Sequence, residues 1–173
     1  MNNDTFYEDL INQNLQDPVW RENCSKYNIM MAVVRDGKLH ELEGLSLSTP
    51  PFPNGVDPFL ERHWISNAIN SHALTSIRWM LSKAVDLSFM DDEGHTVLFD
   101  ALDCKDRTLR YEMLEELLKA GSSPNRLGHA NETAAQRAAW SGDLEALKIL
   151  QKYGANLSQE TEDLGGYSTP LRI

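Results

Sequence analysis

A recurring pattern of two short helices is the sequence feature that most constrains the fold of this chain. Residues 131–156 contain a first helix, a turn at Gly142, a second helix with leucines at helical spacing, and a stop at Gly154. Glycine suits that stop because it readily adopts the left-handed backbone that ends many helices. Gly121 precedes Gly154 by 33 residues. A period of this length predicts a stack of helical repeats.

Further copies of the pattern lie on both sides. Segment 91–127 carries about four extra residues, which are most simply placed in the turn 103–108, so we expect that turn to protrude. In segment 58–90, Ala84 replaces the glycine that stops the second helix, and segment 27–57 is a weaker copy. The predicted units are therefore an N-terminal capping helix within 1–26 and a repeat domain over 27–173, with repeats at 27–57, 58–90, 91–127 and 128–160 and a partial copy at 161–173.

Two segments do not follow the repeat. Residues 4–23 place apolar side chains at helical spacing after Asp4, a candidate N-cap, which predicts the helix that covers the first repeat. Residues 46–55 include several prolines, which fix φ and remove backbone donors, so we expect an extended connector there. The alternative is a proline-rich ligand for an aromatic groove.

The most regular copy, 128–157, has a characteristic set of residues: Thr133, Ala138, Ala139, Gly142, Leu144, Leu147, Leu150, Gly154, Ala155 and Asn156. Segment 91–125 keeps part of this set, and Thr169-Pro170-Leu171 begins it again. The pattern resembles the ankyrin repeat family. The resemblance implies an all-α solenoid of stacked helix-turn-helix units that binds protein partners on its concave face.

Charge and composition narrow the classes of partner. Acidic side chains outnumber basic ones by 26 to 16, a formal net charge of −10, which opposes nucleic acid and favours a basic protein. No apolar run approaches the length of a membrane span, and the N-terminus lacks the features of a secretory signal. We therefore expect a cytoplasmic chain, monomeric on its own, with Cys24 and Cys104 as reduced thiols.

No group of residues in the sequence predicts a catalytic, metal-binding or phosphate-binding site. The histidines are dispersed, without the spacing of a zinc site, and Asp91-Asp92-Glu93-Gly94 lacks the alternating ligands of a calcium loop. Gly165-Gly166 is not followed by the lysine of a phosphate loop. We therefore expect no catalytic residues, no cofactor and no metal, and an enzyme is the least favoured class.

The ankyrin resemblance nominates residues for partner binding. Trp140 occupies a variable slot at the end of a first helix, where a large aromatic side chain can anchor a partner. Trp79 falls on a core position, and Trp64, in place of the usual proline, fits either role. The other exposed first-helix slots are expected to be Phe99, Asp100, Asp103, Gln136 and Arg137. The turn-tip residues expected on the same edge are Asp91, Asp92, Glu93, His95, Arg126, His129, Asn131 and Glu132.

These observations predict a non-enzymatic protein-binding module. Its strong acidity and the expected protruding turn favour a small inhibitor or immunity-type protein, one that neutralises a basic partner by covering it. The alternative is a scaffold or effector that recruits a cellular protein without inhibiting it.

Overall fold

A computed structural model describes residues 17–159, 161–163 and 166–168. The α-helices of these residues are α1 (Pro18–Asp36), α2 (Leu39–Ser48), α3 (Trp64–Asn70), α4 (Leu74–Ser82), α5 (Val97–Leu102), α6 (Arg107–Lys119), α7 (Ala134–Trp140) and α8 (Leu144–Lys152). They are accompanied by a 3₁₀ turn (His129–Asn131) and two short strands, β1 (Thr161–Asp163) and β2 (Gly166–Ser168).

The helices form two layers. The first helices of successive pairs, α1, α3, α5 and α7, pack in order against one another, and α2, α4, α6 and α8 form the layer behind them. Each first helix also packs on its own second helix. This arrangement confirms the predicted helical-repeat solenoid. The antiparallel hairpin β1–β2, paired from Thr161–Ser168 to Asp163–Gly166, lies where the partial last copy was predicted.

Local chemistry sets where the helices begin and end. The hydroxyl groups of Thr96 and Thr133 accept the backbone N–H of Phe99 and Gln136, which caps α5 and α7. After α4, Ala84 takes the left-handed conformation, with φ of 53°. Helix α4 is therefore followed by the left-handed conformation that glycine usually supplies, although the residue here is alanine.

A continuous core runs through all the pairs. Trp79 is buried, as predicted, and its indole N–H donates to Glu43 Oε1 at 2.9 Å. Trp64 is buried as well, with its ring centroid 5.4 Å from that of Phe52. Both tryptophans are therefore packing residues.

The extra residues of the third repeat lengthen a helix. Helix α6 has 13 residues and α8 has 9, so the expectation of a protruding turn at 103–108 is wrong. The added turn of α6 reaches the next repeat: Arg110 pairs with the buried carboxylate of Asp143, and Tyr111 Oη donates to the same group at 2.8 Å. Asp143 caps α8, so the longer helix ties two repeats together.

The N-terminal part differs from the expectation in detail. Helix α1 runs without a break across the boundary predicted between residues 26 and 27, and residues 4–16 of the predicted capping helix lie outside the described residues. Helix α2 continues to Ser48, so the first residues of the predicted extended connector are helical. Phe52 is buried and stacks on Trp79 with centroids 5.7 Å apart. Since this side chain lies in the chain's own core, the connector is a packed corner rather than a ligand for an outside groove.

Candidate functional site

Three loops precede the first helices α3, α5 and α7, and we name them the first finger (56–63), the second finger (90–95) and the third finger (127–132). One backbone hydrogen bond closes each loop: Asp57 N–H to Arg62 O at 2.8 Å, Asp91 N–H to His95 O at 3.1 Å, and Gly128 N–H to Glu132 O at 2.8 Å. The fingers therefore share one hairpin-like geometry at the N-terminal ends of the first helices.

The second and third fingers touch. His129 Nδ1 lies 2.9 Å from Glu93 O, and the rings of His95 and His129 have centroids 6.3 Å apart. Asp92, Glu93, His129 and Asn131 are exposed. The structure thus brings most of the predicted turn-tip residues together on one edge.

Asp91 and Glu132, both half-buried, contribute less to the surface than predicted. Asp91 Oδ1 accepts the N–H groups of Glu93 at 3.0 Å and His95 at 2.7 Å, which holds the second finger in shape. The oxygen that makes these bonds is occupied within the finger. The role of Asp91 is therefore largely structural.

A second part of the surface lies along the first helices. Asn70, Asp103 and Trp140 occupy the same place in successive repeats, seven residues after the N-cap residue of each first helix, and all three are exposed. Trp140 keeps 59% of its surface exposed. These helices are only about 10 Å long, so this row and the fingers border one continuous face.

Asp100 and Arg137 lie one turn earlier on the same helix faces, because residues three apart are neighbours on a helix. Arg137 pairs with Asp103 of the preceding repeat, with Nη2 at 2.8 and 2.9 Å from the two carboxylate oxygens. Asp100 is half-buried. Burial raises the pKa of Asp100 to about 6, although a hydrogen bond with Ser66 and the charge of His95 act against the rise.

Two predicted partner contacts are wrong. Phe99 and Gln136 are fully buried because they lie one residue before the exposed face, a rotation of about 100° on an α-helix. The ring of Phe99 lies under the third finger, and the Arg137 guanidinium stacks over it at 4.8 Å. Gln136 Oε1 accepts the N–H of Thr133 at 2.8 Å as part of a capping box. Neither side chain is available to a partner.

Arg126 is exposed and immediately precedes the third finger, outside the loop that the Gly128–Glu132 hydrogen bond closes. It lines a separate groove with Asp86 and Gly121, beside the C-terminal ends of α4 and α6. Hydrogen bonds from Ser88 lower the pKa of Asp86, and the charge of Arg126 adds a smaller lowering effect. Arg126 therefore borders a different groove from Asp91, Asp92 and Glu93 of the second finger.

The fingers also expose aliphatic side chains that sequence reasoning missed. Val56, Met90 and Leu127 each begin a finger and are 47%, 48% and 41% exposed, and Leu60 of the first finger is 50% exposed. An apolar residue recurs at similar positions in successive repeats, and this regularity is visible in the sequence. Because an apolar residue before a turn usually enters the core, the pattern alone does not predict that these side chains are exposed.

Within the described part of the chain, no group of three or more His, Cys, Asp or Glu side chains has an arrangement that could hold a metal ion. Among the described helices, none is long and apolar enough to cross a bilayer.

A family model matches part of the chain. The family model described as ankyrin repeats (many copies) matches residues 110–151, which cover most of α6, the third finger, α7 and most of α8. No curated protein matches the chain.

Proposed function

We propose that this chain, whose helix pairs are ankyrin repeats, is a non-enzymatic module that binds a protein partner on the face bordered by the three fingers and the row Asn70, Asp103 and Trp140. Ankyrin repeats are protein-binding modules. We choose this face because the large side chain of Trp140 is mostly exposed there, at the end of α7. Exposed aromatic side chains of this size are typical anchors of protein interfaces.

The partner is proposed to be basic. The chain carries a net charge of −10, and Asp92 and Glu93 are exposed on the proposed face. An acidic face attracts a basic protein during diffusion and disfavours acidic competitors. We further propose that the chain is a monomer before it binds, and that it acts in the cytoplasm, where its unpaired cysteines stay reduced.

The preferred form of this function is an inhibitor or immunity-type protein that covers the working surface of its partner. The acidity of the chain supports this form, whereas the protruding turn that first suggested it is absent, since the extra residues lengthen α6. A scaffold that recruits its partner without inhibiting it is the alternative. An activity assay of the captured partner separates the two, because only an inhibitor lowers that activity in proportion to occupancy.

The test of the binding face is Trp140→Ala. We expect the variant to bind a partner captured by the wild-type chain more weakly by at least about 2 kcal/mol, the loss typical of an anchoring aromatic residue. Isothermal titration calorimetry measures this difference. Leu47→Ala is the matched control, because Leu47 is a highly exposed apolar residue on α2, away from the proposed face.

Equal affinity of the wild-type chain and Trp140→Ala would remove Trp140 from the interface. Failure of the wild-type chain to capture any protein in stoichiometric amount from its native cell extract would contradict the proposed function itself. Circular dichroism of each variant verifies that the helical fold is kept.

A further inference from the structure

A groove lies between the first and second fingers, apart from Trp140. Its volume is about 550 Å³. The residues that line it are Val56, Phe59, Leu60, Glu61, Arg62, His63, Met90, Asp91, Asp92 and Glu93. Of these, only Asp91, Asp92 and Glu93 were predicted from the sequence to bind a partner.

The groove has an apolar part that is open to solvent. Val56, Leu60 and Met90 are each about half exposed, at 47%, 50% and 48%. Single exposed aliphatic residues are common on protein surfaces, but three on one groove indicate a place where apolar contact is made. A side chain from a partner would remove all three from water at once.

The charged part of the groove is strongly acidic. Glu61, Asp92 and Glu93 are exposed, and Asp91 adds a fourth carboxylate. Arg62 is the only Arg or Lys among the residues that line the groove, and its charge also acts on the neighbouring Asp100.

His63 adds no positive charge at neutral pH. Its ring stacks on Phe89, with centroids 3.5 Å apart and planes 6° from parallel. Burial lowers the pKa of His63, and the nearby carboxylate of Asp86 offsets this only in part. The groove therefore combines an apolar part with a negative field that repels phosphate and attracts ammonium and guanidinium groups.

We propose that this groove binds a segment of the protein partner in which an aliphatic or aromatic side chain is flanked by Lys or Arg. The inference rests on the proposed function and specifies the chemistry of its partner. The apolar side chain lies against Val56, Leu60 and Met90, and the flanking cations lie against the carboxylates of the two fingers. Trp140 then forms a second, separate contact on the same face.

The experiment selects random dodecapeptides displayed on phage against the full chain. We expect the selected peptides to carry an apolar residue within two positions of Lys or Arg. Leu60→Lys, Met90→Lys and Asp92→Lys should each raise the Kd of a selected synthetic peptide at least about tenfold, the loss typical of a central contact. Fluorescence polarisation measures the Kd, and Leu47→Lys is the control variant that should leave it unchanged.

Three results would overturn the inference: selected peptides that are acidic or lack an apolar residue, a Kd that none of the three groove variants changes, or a selection that yields no binding peptide. These results are distinct from failure of the proposed function. If the groove variants have no effect while the chain still captures a protein that Trp140→Ala releases, the binding face stands and only the groove assignment falls.

Discussion

Asp100 is the acidic side chain on the proposed face whose environment is least like water. It is half-buried between the second finger and α3, and burial raises the pKa of its carboxyl to about 6. The hydrogen bond with Ser66 and the charges of His95 and Arg62 lower the pKa, while Asp91 raises it further. At neutral pH this carboxyl is therefore ionised in a place that disfavours its charge.

The Asp100→Asn variant tests this account through the pH dependence of stability. A folded-state pKa of about 6, above the unfolded value of about 3.9, means that the folded chain binds more protons between these values. The contribution of Asp100 to stability therefore falls as pH rises from about 4 to about 6, and it stays low above that. Asparagine does not titrate, so the variant should be more stable than wild type by roughly 1–2 kcal/mol at pH 8, with the difference shrinking towards pH 4.

Urea unfolding at both pH values measures the two free energies of unfolding. Asp92→Asn is the matched control, since it removes the same carboxyl group from an exposed position on the second finger. A difference between wild type and Asp100→Asn that is the same at pH 4 and pH 8 would contradict the account.

Rotation about the axis of a short helix limits what the sequence predicts for single residues. Trp140 and Asp103 are exposed as predicted, whereas Phe99 and Gln136, assigned to the same face, are buried. A helix of six or seven residues has too few turns for its apolar periodicity to define its inward face within one residue. In the structure, Phe99 packs against the third finger, and this contact sets which face of α5 points inward.

At the scale of elements, the fingers are held by close backbone packing. A Cβ atom on Gly128 would lie 2.7 Å from Cε2 of Phe99 and 2.8 Å from the carbonyl oxygen of Gly94. The third finger therefore packs directly on the second finger and on α5. The residue before the closing residue of each finger is left-handed, namely Glu61 in the first, Gly94 in the second and Asn131 in the third, where Ala130 is left-handed as well. The finger geometry thus persists where the sequence signature is weak.

Gly128→Ala should push the third finger away from Phe99 and destabilise the chain by about 1–3 kcal/mol, the usual cost of overpacking. Thermal and urea unfolding measure the change. Gly44→Ala is the matched control: a Cβ on Gly44 meets no atom within 4 Å, and Gly44 lies within α2, so alanine should stabilise the chain slightly. Equal stability of Gly128→Ala and wild type would show that the fingers are not packed as described.

The length of α6 shows why elements are harder to place than repeats. The excess of residues between Thr96 and Thr133 is visible in the sequence, but its position is not, because residues 103–108 fit a turn as well as a helix start. Asp106 decides the outcome: its carboxylate accepts the N–H groups of Thr108 at 2.9 Å and Leu109 at 3.1 Å, so it caps α6 early. The pairing of Arg110 with Asp143 then stabilises the added turn, and this long-range contact cannot be inferred from local spacing.

At the scale of the whole molecule, the period of the sequence predicts the architecture well. Two layers of stacked helices follow directly from the recurring helix-turn-helix pattern, and the family match covers the part where that pattern is clearest. The structure of the N-terminal part is less predictable from the sequence, because α1 is longer than a repeat helix and the corner around Phe52 contains prolines in place of a regular loop. The identity of the partner lies outside what repeats specify, since the scaffold is shared by proteins of many functions.

The most direct test of the central claim is hydrogen–deuterium exchange of the chain with and without its captured partner. We expect slower exchange on binding in the fingers at 90–95 and 127–132 and at the end of α7 around Trp140, with little change along α6 and α8. Slower exchange confined to α4, α6 and α8, with the fingers unchanged, would place the partner on the opposite layer and contradict the proposed binding face.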